Sequence, residues 1–434
     1  VQIHVVQAGQ TLFGIAQTYS TTVDAIAAAN EIPAAAGLVV GQALVIPIDG
    51  SYYWVRQGDS LYSIGRQWGI PYQELARVNR IPANGVLSVG TRLYIPPRPR
   101  SRAEVNAYVE PRGSEVSAAL TNASRQAAPH LTYLAPFSFR INRDGTLQPP
   151  PLGELPTIAR NDGVTLMMVV TNLENDQFSD ELGQVILNSE ELQNTLLDNI
   201  LSTAERLGFR DIHFDMEYLR PADREAYNAF LRKAAARIHA KGYLISTALA
   251  PKTSATQQGR WYEAHDYRAH GQIVDFVVIM TYEWGYSGGP PQPVSPIGPV
   301  RRVLEYALTE IPAQKIMMGQ NLYGYDWTLP YVQGGPFARA VSPQAAIELA
   351  RQYGAAISYD YQAQAPHFTY RSSDGKEHVV WFEDARSIQA KFNLLKELGI
   401  RGISYWKLGL PFPQNWLLLE NNFVIVKKPP PTPP

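Results

Sequence analysis

A chain of 434 residues is too long for one ordinary core and implies about three units, or one large barrel with small modules. With 45% hydrophobic and 18% charged residues it reads as a soluble globular protein, and a net charge of -1 leaves no electrostatic footprint for nucleic acid or an anionic membrane surface. The absence of cysteine excludes disulfides, thiolate nucleophiles and Cys-ligated metals, so chemistry falls to carboxylates, His, Tyr or hydroxyls.

In chain order, the first feature is a gap-free duplication. "VQAGQTLFGIA" (6 to 16) matches "VRQGDSLYSIG" (55 to 65), "AANEIP" (28 to 33) matches "RVNRIP" (77 to 82), and "VGQALVIP" (40 to 47) matches "VGTRLYIPP" (89 to 97). Each copy, 2 to 48 and 51 to 97, predicts a strand, a helix capped at Gln10-Thr11 or Asp59-Ser60, a second helix ending near Asn30 or Asn79, and a closing strand. Both copies resemble LysM modules in their G-[DQ]-[ST]-L start, their Asn before Ile-Pro and their closing G-[QT]-x-L-x-I-P. That resemblance implies binding of glycans containing N-acetylglucosamine. The implied groove is lined by Gly9, Gln10, Thr11, Leu12, Asn30, Ile32 and Pro33 in the first copy, and by Gly58, Asp59, Ser60, Leu61, Asn79, Ile81 and Pro82 in the second. The same residue types also serve as plain caps and turns, and the case for binding rests on the pairing, since two tethered weak sites gain avidity.

"IPPRPRSR" (95 to 102) is a semi-rigid junction, and 426 to 434 is a Pro-rich tail. Between them, over 103 to 425, eight strand-like runs recur with helical stretches such as 223 to 240 and 384 to 397 among them: "VNAYVEP", "LTYLAPFSF", "TLMMVVTN", "IHFDMEY", "YLISTALAP", "VDFVVIMTYEW", "KIMMGQNLYG" and "RGISYWKLG". This is what a (β/α)8 TIM barrel requires; an open doubly wound sheet is the alternative, less favoured for want of a Gly-rich phosphate loop. Residues 354 to 382 read as a small hairpin-like insertion ahead of the helix at 384 to 397, and so before the last strand. No run of about 18 apolar residues suggests a membrane span, and the first residues lack the basic-then-apolar pattern of a secretion signal.

The fourth run, "FRDIHFDMEY" (209 to 218), alternates Asp211, His213, Asp215 and Glu217 with Ile212, Phe214 and Met216. In a barrel the polar set points inward, and Asp215 and Glu217 fall at the C-terminal mouth where active sites lie. Acids two apart on one wall cannot easily flank a sugar ring as acid and nucleophile, so Glu217 is expected as general acid with Asp215 beside it, and a substrate acetamido group can supply the nucleophile.

The run resembles the D-x-x-D-x-D-x-E signature of glycoside hydrolase family 18, with Arg210, His213, Asp215 and Glu217 at its four positions; the last two match and the first two depart. The resemblance implies Glu217 as proton donor and then base, and Asp215 as partner of the acetamido nitrogen. From "MTYEW" it implies Met280 at the site, Tyr282 as donor to the acetamido carbonyl and Glu283 as a ligand or support residue. From "ISYWKLG" it implies Trp406 as the floor under the reacting sugar, and from "YGYDW" a seventh-strand contact at Tyr323. His213 replaces an Asp and is expected among the substrate-binding residues, either hydrogen-bonding Asp215 while neutral or titrating near neutral pH, unless it is a satisfied core histidine; Asp211 is expected to be peripheral. Tyr218, Trp284, Trp327 and Trp381 are candidate sugar platforms or packing residues. LysM pairs on such a barrel resemble the spore-germination N-acetylglucosaminidases of endospore formers. That implies peptidoglycan as partner, a location at the spore cortex or coat boundary or the cell wall, no cofactor, no metal and a monomer. A chitinase or chito-oligosaccharide hydrolase, and a non-catalytic wall-binding coat protein, remain open.

Overall fold

The computed structural model describes residues 1–33 and 35–427, so most of the Pro-rich tail expected at 426 to 434 lies outside the described residues. Each N-terminal repeat folds as strand, two helices and strand. The first comprises Gln2–Val5, Leu12–Thr18, Val23–Asn30 and Ala43–Ile46, and the second Ser51–Trp54, Leu61–Trp68, Tyr72–Val78 and Arg92–Ile95, each strand pair antiparallel. Thr11 caps the first helix by accepting Gly14 N–H at 3.1 Å, and Ser60 forms a reciprocal capping box with Ser63.

The two modules differ in what surrounds them. Ala43 and Val45 of the first are buried in the same apolar cluster as the large domain, and Gln344 donates to the Asn30 and Glu31 carbonyls at 3.0 Å each. Ile357 N–H further donates to the Val40 carbonyl at 2.8 Å. The second module leans on the first, through Gln2 on the Tyr52 backbone and Arg92 on the Thr18 carbonyl.

The large domain is a closed parallel barrel. Its strands are Ser101–Val109, Tyr133–Pro136, Thr165–Thr171, Phe209–Asp215, Leu244–Leu249, Phe276–Ile279, Ile316–Asn321 and Gly402–Trp406, each pairing with the next and the last with the first. Alternation along each strand sorts side chains into two cores. Ile212, Phe214, Met168 and Val170 face the helices, while Tyr108, Met167, Val169, Phe276 and Met317 fill the interior. The helix Arg224–Ala240 covers the fourth strand with Tyr227, Phe230, Leu231, Ala234 and Ile238, a spacing of one helical face.

The insertion is larger than the expected hairpin at 354 to 382. It starts at Gly324 and forms a five-stranded antiparallel sheet, Gly324–Thr328, Arg339–Val341, Ser358–Asp360, Ala365–Arg371 and Glu377–Trp381, with the helix Pro343–Gln352. "YGYDW" therefore continues past the seventh barrel strand into the insertion. The apolar run hides a sharp change of direction, marked only by Gly324, where a Cβ would meet the Trp381 carbonyl at 2.1 Å. Among the described residues no helix is long and apolar enough to cross a membrane.

Candidate active site

The fourth strand delivers Asp211, His213, Asp215 and Glu217 to the barrel interior in rising order, all nearly or fully buried. Glu217 lies two residues past the strand, and its peptide is held from both sides by Asn172 at the end of the third. Asn172 Oδ1 accepts Glu217 N–H at 3.0 Å, and Asn172 Nδ2 donates to the Glu217 carbonyl at 2.9 Å. His265 braces the preceding residue: its Nδ1 accepts Ala250 N–H at 2.9 Å, so its Nε2–H donates to the Met216 carbonyl at 2.8 Å. Tyr218 then takes φ 57°, and this left-handed turn throws its ring outward, 41% exposed.

The carboxyls of Asp215 and Glu217 hydrogen-bond each other. Burial, then the charge of Glu217, pushes Asp215 well above the usual carboxylate range; burial also raises Glu217, opposed by its bonds to Asp215 and Trp261. The pair therefore holds a proton that a solvated pair would release. On its other side Glu217 Oε2 accepts the indole N–H of Trp261 at 2.7 Å.

His213 does not reach the cleft and does not bond Asp215, contrary to a substrate-binding role. Its Nε2 pairs with the Tyr108 hydroxyl at 2.7 Å and its Nδ1 with Ser246 Oγ at 2.8 Å, while Ser246 Oγ reaches Asp211 Oδ2 at 2.8 Å. Either direction of that hydroxyl chain leaves the imidazole with one ring proton. Full burial pushes His213 down to about 3, so it is neutral at working pH and does not titrate near neutrality. Asp211, expected to be peripheral, is the buried foot of this chain, and burial pushes it up to about 8.

Above these residues opens a cleft of about 890 Å³ lined by Asp215, Glu217, Met280, Tyr282, Glu283 and Trp406, together with Phe137, Phe178, Arg112, Arg140 and Pro149 to Pro151. Tyr282 follows the sixth strand, and Gly319 of the seventh makes room for its ring, since a Cβ there would lie 2.9 Å from Tyr282 Cε1. Burial first, then Glu217 and Asp215, raise the Tyr282 phenol well above its usual value, so it remains a donor. Trp406 ends the eighth strand half-buried, held edge-on by Phe137 (4.9 Å, 83°) and at a tilt by Tyr108 (5.4 Å, 57°), a flat apolar surface at the cleft floor.

Other carboxylates of the cleft are already engaged. Glu283 accepts the Tyr325 hydroxyl at 2.9 Å, Glu110 pairs with Lys407 at 2.7 Å, and Asp176 with Arg140 at 2.8 Å. Tyr323, expected to touch substrate, is buried behind Glu283 against Tyr325 and supports it instead. Of the candidate platforms, Tyr218 stacks on the cleft-lining Phe178, Trp327 is buried with its N–H on the Gly289 carbonyl, and Trp381 packs on His367.

In the repeats, Asn30 and Asn79 are staples: each side chain bonds the backbone of its own helix and of the closing strand, at Val45 and Tyr94 respectively. Leu12 and Leu61 are core residues, so these four do not line an open glycan groove. The Gln10 and Asp59 side chains accept backbone N–H groups at Gln7 and Arg56. Gly9, Thr11, Pro33, Gly58, Ser60 and Pro82 are exposed, and Ile32 and Ile81 half-buried.

Sequence reading missed Trp261, Asn172, Tyr108, Ser246 and His265. Asn172 carried a weak signal, a polar residue closing an apolar strand; Trp261 lies in a stretch with no periodicity at all.

Proton donation to a sugar held against an aromatic floor is what this barrel mouth is equipped for, and the class it defines is that of the barrel glycosidases. The chain belongs to the glycosyl hydrolases family 18, whose family model matches residues 108–410, and it carries LysM domains at 4–47 and 53–96. It is 68% identical over 428 residues to a cortical fragment-lytic enzyme of Bacillus subtilis (strain 168), covering 99% of each chain. Crystal structures of the spore cortex-lytic enzyme SleL are similar over 98% of this chain and 99% of theirs. That from Bacillus megaterium QM B1551 has TM-score 0.92 at 54% identity, and that from Bacillus cereus 0.90 at 53%.

Proposed function

We propose that this protein is an N-acetylglucosaminidase of spore-cortex peptidoglycan, cleaving β-1,4 bonds after N-acetylglucosamine in cortex or its fragments during germination, with retention of configuration. The observation that carries this reading is the buried Asp215–Glu217 pair sharing one cleft with the Tyr282 hydroxyl and the Trp406 ring. The identity to cortical fragment-lytic enzymes over nearly the full chain supports the substrate.

The residues divide the chemistry as follows. Glu217 gives its proton to the glycosidic oxygen as the substrate's acetamido oxygen attacks C1 and the C1–O bond breaks. Asp215, freed to pair with the acetamido N–H, stabilises the positive charge that develops there, and Tyr282 donates to the acetamido carbonyl and aligns it. Glu217, now a carboxylate, takes a proton from the water that attacks C1. Two inversions leave the configuration retained, with no protein nucleophile. Trp406 supplies the apolar face under the ring. The LysM modules hold the enzyme to the wall, with the exposed Gly9, Thr11, Gly58 and Ser60 edges as the glycan contacts.

Mass spectrometry of products from purified cortex fragments and from chitin oligomers tests the substrate, and Glu217→Gln tests the site. The variant is expected to lose hydrolysis while still binding glycan; cleavage at the wild-type rate would refute the assignment.

A further inference from the structure

Trp261 comes from residues 250–266, which contain no helix or strand. Besides its hydrogen bond to Glu217 Oε2, its ring stacks on Tyr218 (6.3 Å, 11°), which stacks on Phe178 (6.4 Å, 28°). Trp261 also lines a second cavity of about 330 Å³ that shares Tyr282 and Glu283 with the main cleft. It stands as a partition between the two, directly over the acid.

An acid that protonates a glycosidic oxygen must present a protonated oxygen to an acceptor. The indole N–H is a donor only, so while it holds Oε2 that oxygen carries no proton toward it. The other side of Glu217 is tied to Asp215. The free enzyme thus keeps its acid clamped in an arrangement that cannot pass a proton outward through Oε2.

We propose that Trp261 is a positioning residue that holds Glu217 in the free enzyme and yields Oε2 to the glycosidic oxygen when the leaving-group sugar enters beside it. Proton transfer is thereby tied to occupation of the leaving-group side. The indole moves from clamp to sugar-facing wall. The transfer itself is unchanged: the proton passes from Glu217 to the glycosidic oxygen as the C1–O bond breaks and the acetamido oxygen bonds C1.

The titratable groups facing Glu217 are Asp215 on its own strand, Tyr108 from the first, Tyr282 beyond the sixth, Tyr218 beside it and Tyr227 from the following helix, with Glu283 behind Tyr282 and Tyr218. None is a cation, and two bonds oppose the effect of burial on Glu217, that of Asp215 and that of the Trp261 N–H. The indole bond lowers Glu217, and removing it raises Glu217.

The inference rests on Glu217 being the acid, and the test separates the two. Trp261→Phe keeps a ring and removes the N–H; kcat and kcat/KM are measured against pH on an N-acetylglucosamine oligomer that spans the cleavage point. The basic limb of kcat/KM, which reports the free enzyme, is expected at higher pH than in wild type, while the basic limb of kcat, which reports the complex, stays in place. An unmoved kcat/KM limb, or an equal movement of both, overturns the proposal. A wild-type enzyme that cleaves no acetamido glycan would instead overturn the glycosidase reading. If the variant melts below wild type, the Trp261 indole 15N–1H resonance in the intact enzyme decides: it is expected to shift on saturation with a thio-linked oligomer, and an unmoved resonance overturns the proposal.

Discussion

Replacing His213 by Asn tests whether the imidazole is a neutral structural link. Asn can keep the contact to Ser246 but cannot reach Tyr108, whose hydroxyl would lose its bond to the imidazole and keep only that to Ser404. The lost hydrogen bond and the void left by the ring together cost about 2 to 4 kcal/mol near neutral pH. The pH dependence is the sharper signature. His213 has a folded value near 3, depressed from an unfolded value of about 6.5, so its neutral burial contributes stability that is fully present above that unfolded value and is lost as pH falls. At about pH 5 the wild type has lost about 2 kcal/mol on this account, at about 1.4 kcal/mol per pH unit, and the variant has lost none. Urea denaturation at about pH 7.5 and about pH 5, with equal m-values, should therefore show the gap between wild type and variant narrowing to about 0 to 2 kcal/mol in acid. A gap that stays constant or widens would mean that folded His213 takes up a proton, and the neutral-link reasoning would be wrong. The variant's surviving activity should keep the wild-type acid limb, since His213 does not titrate in the working range.

Two further outcomes follow from the same geometry. Asn172→Ala removes both bonds that hold the Glu217 peptide, and kcat should fall about 10- to 100-fold with little change in KM, because the acid is misplaced while the sugar floor is intact; a change confined to KM would count against it. Deleting residues 1 to 48 strips Ala43 and Val45 from the shared core and should lower the melting temperature of the barrel, whereas deleting 51 to 97 should spare it and weaken retention on insoluble wall; equal melting of the two truncations would refute the docking role of the first module.

Much of this protein was legible locally. The repeat at 6 to 47 and 55 to 97, its caps, and the period-two alternation of Ile212, Phe214 and Met216 with His213, Asp215 and Glu217 are short-range patterns, and they led to the barrel and to its acid pair. The insertion was read too small because Gly324 is one residue in an otherwise continuous apolar run, and the backbone crossing that requires it involves Trp381, far along the chain.

By itself, then, the sequence determined which strands form, which faces they bury, and where along the chain the acid stands, since backbone period and side-chain polarity are properties of neighbours. Only the closed barrel decided the rest. Ser246 and Asn172 meet His213 and Glu217 across the neighbouring paired strands, Tyr108 by closure of the barrel, and Trp261 from a loop above its mouth. The charge on His213 and the proton kept by Asp215 and Glu217 depend on exclusion of water, a property of the assembled interior that no local run of residues carries.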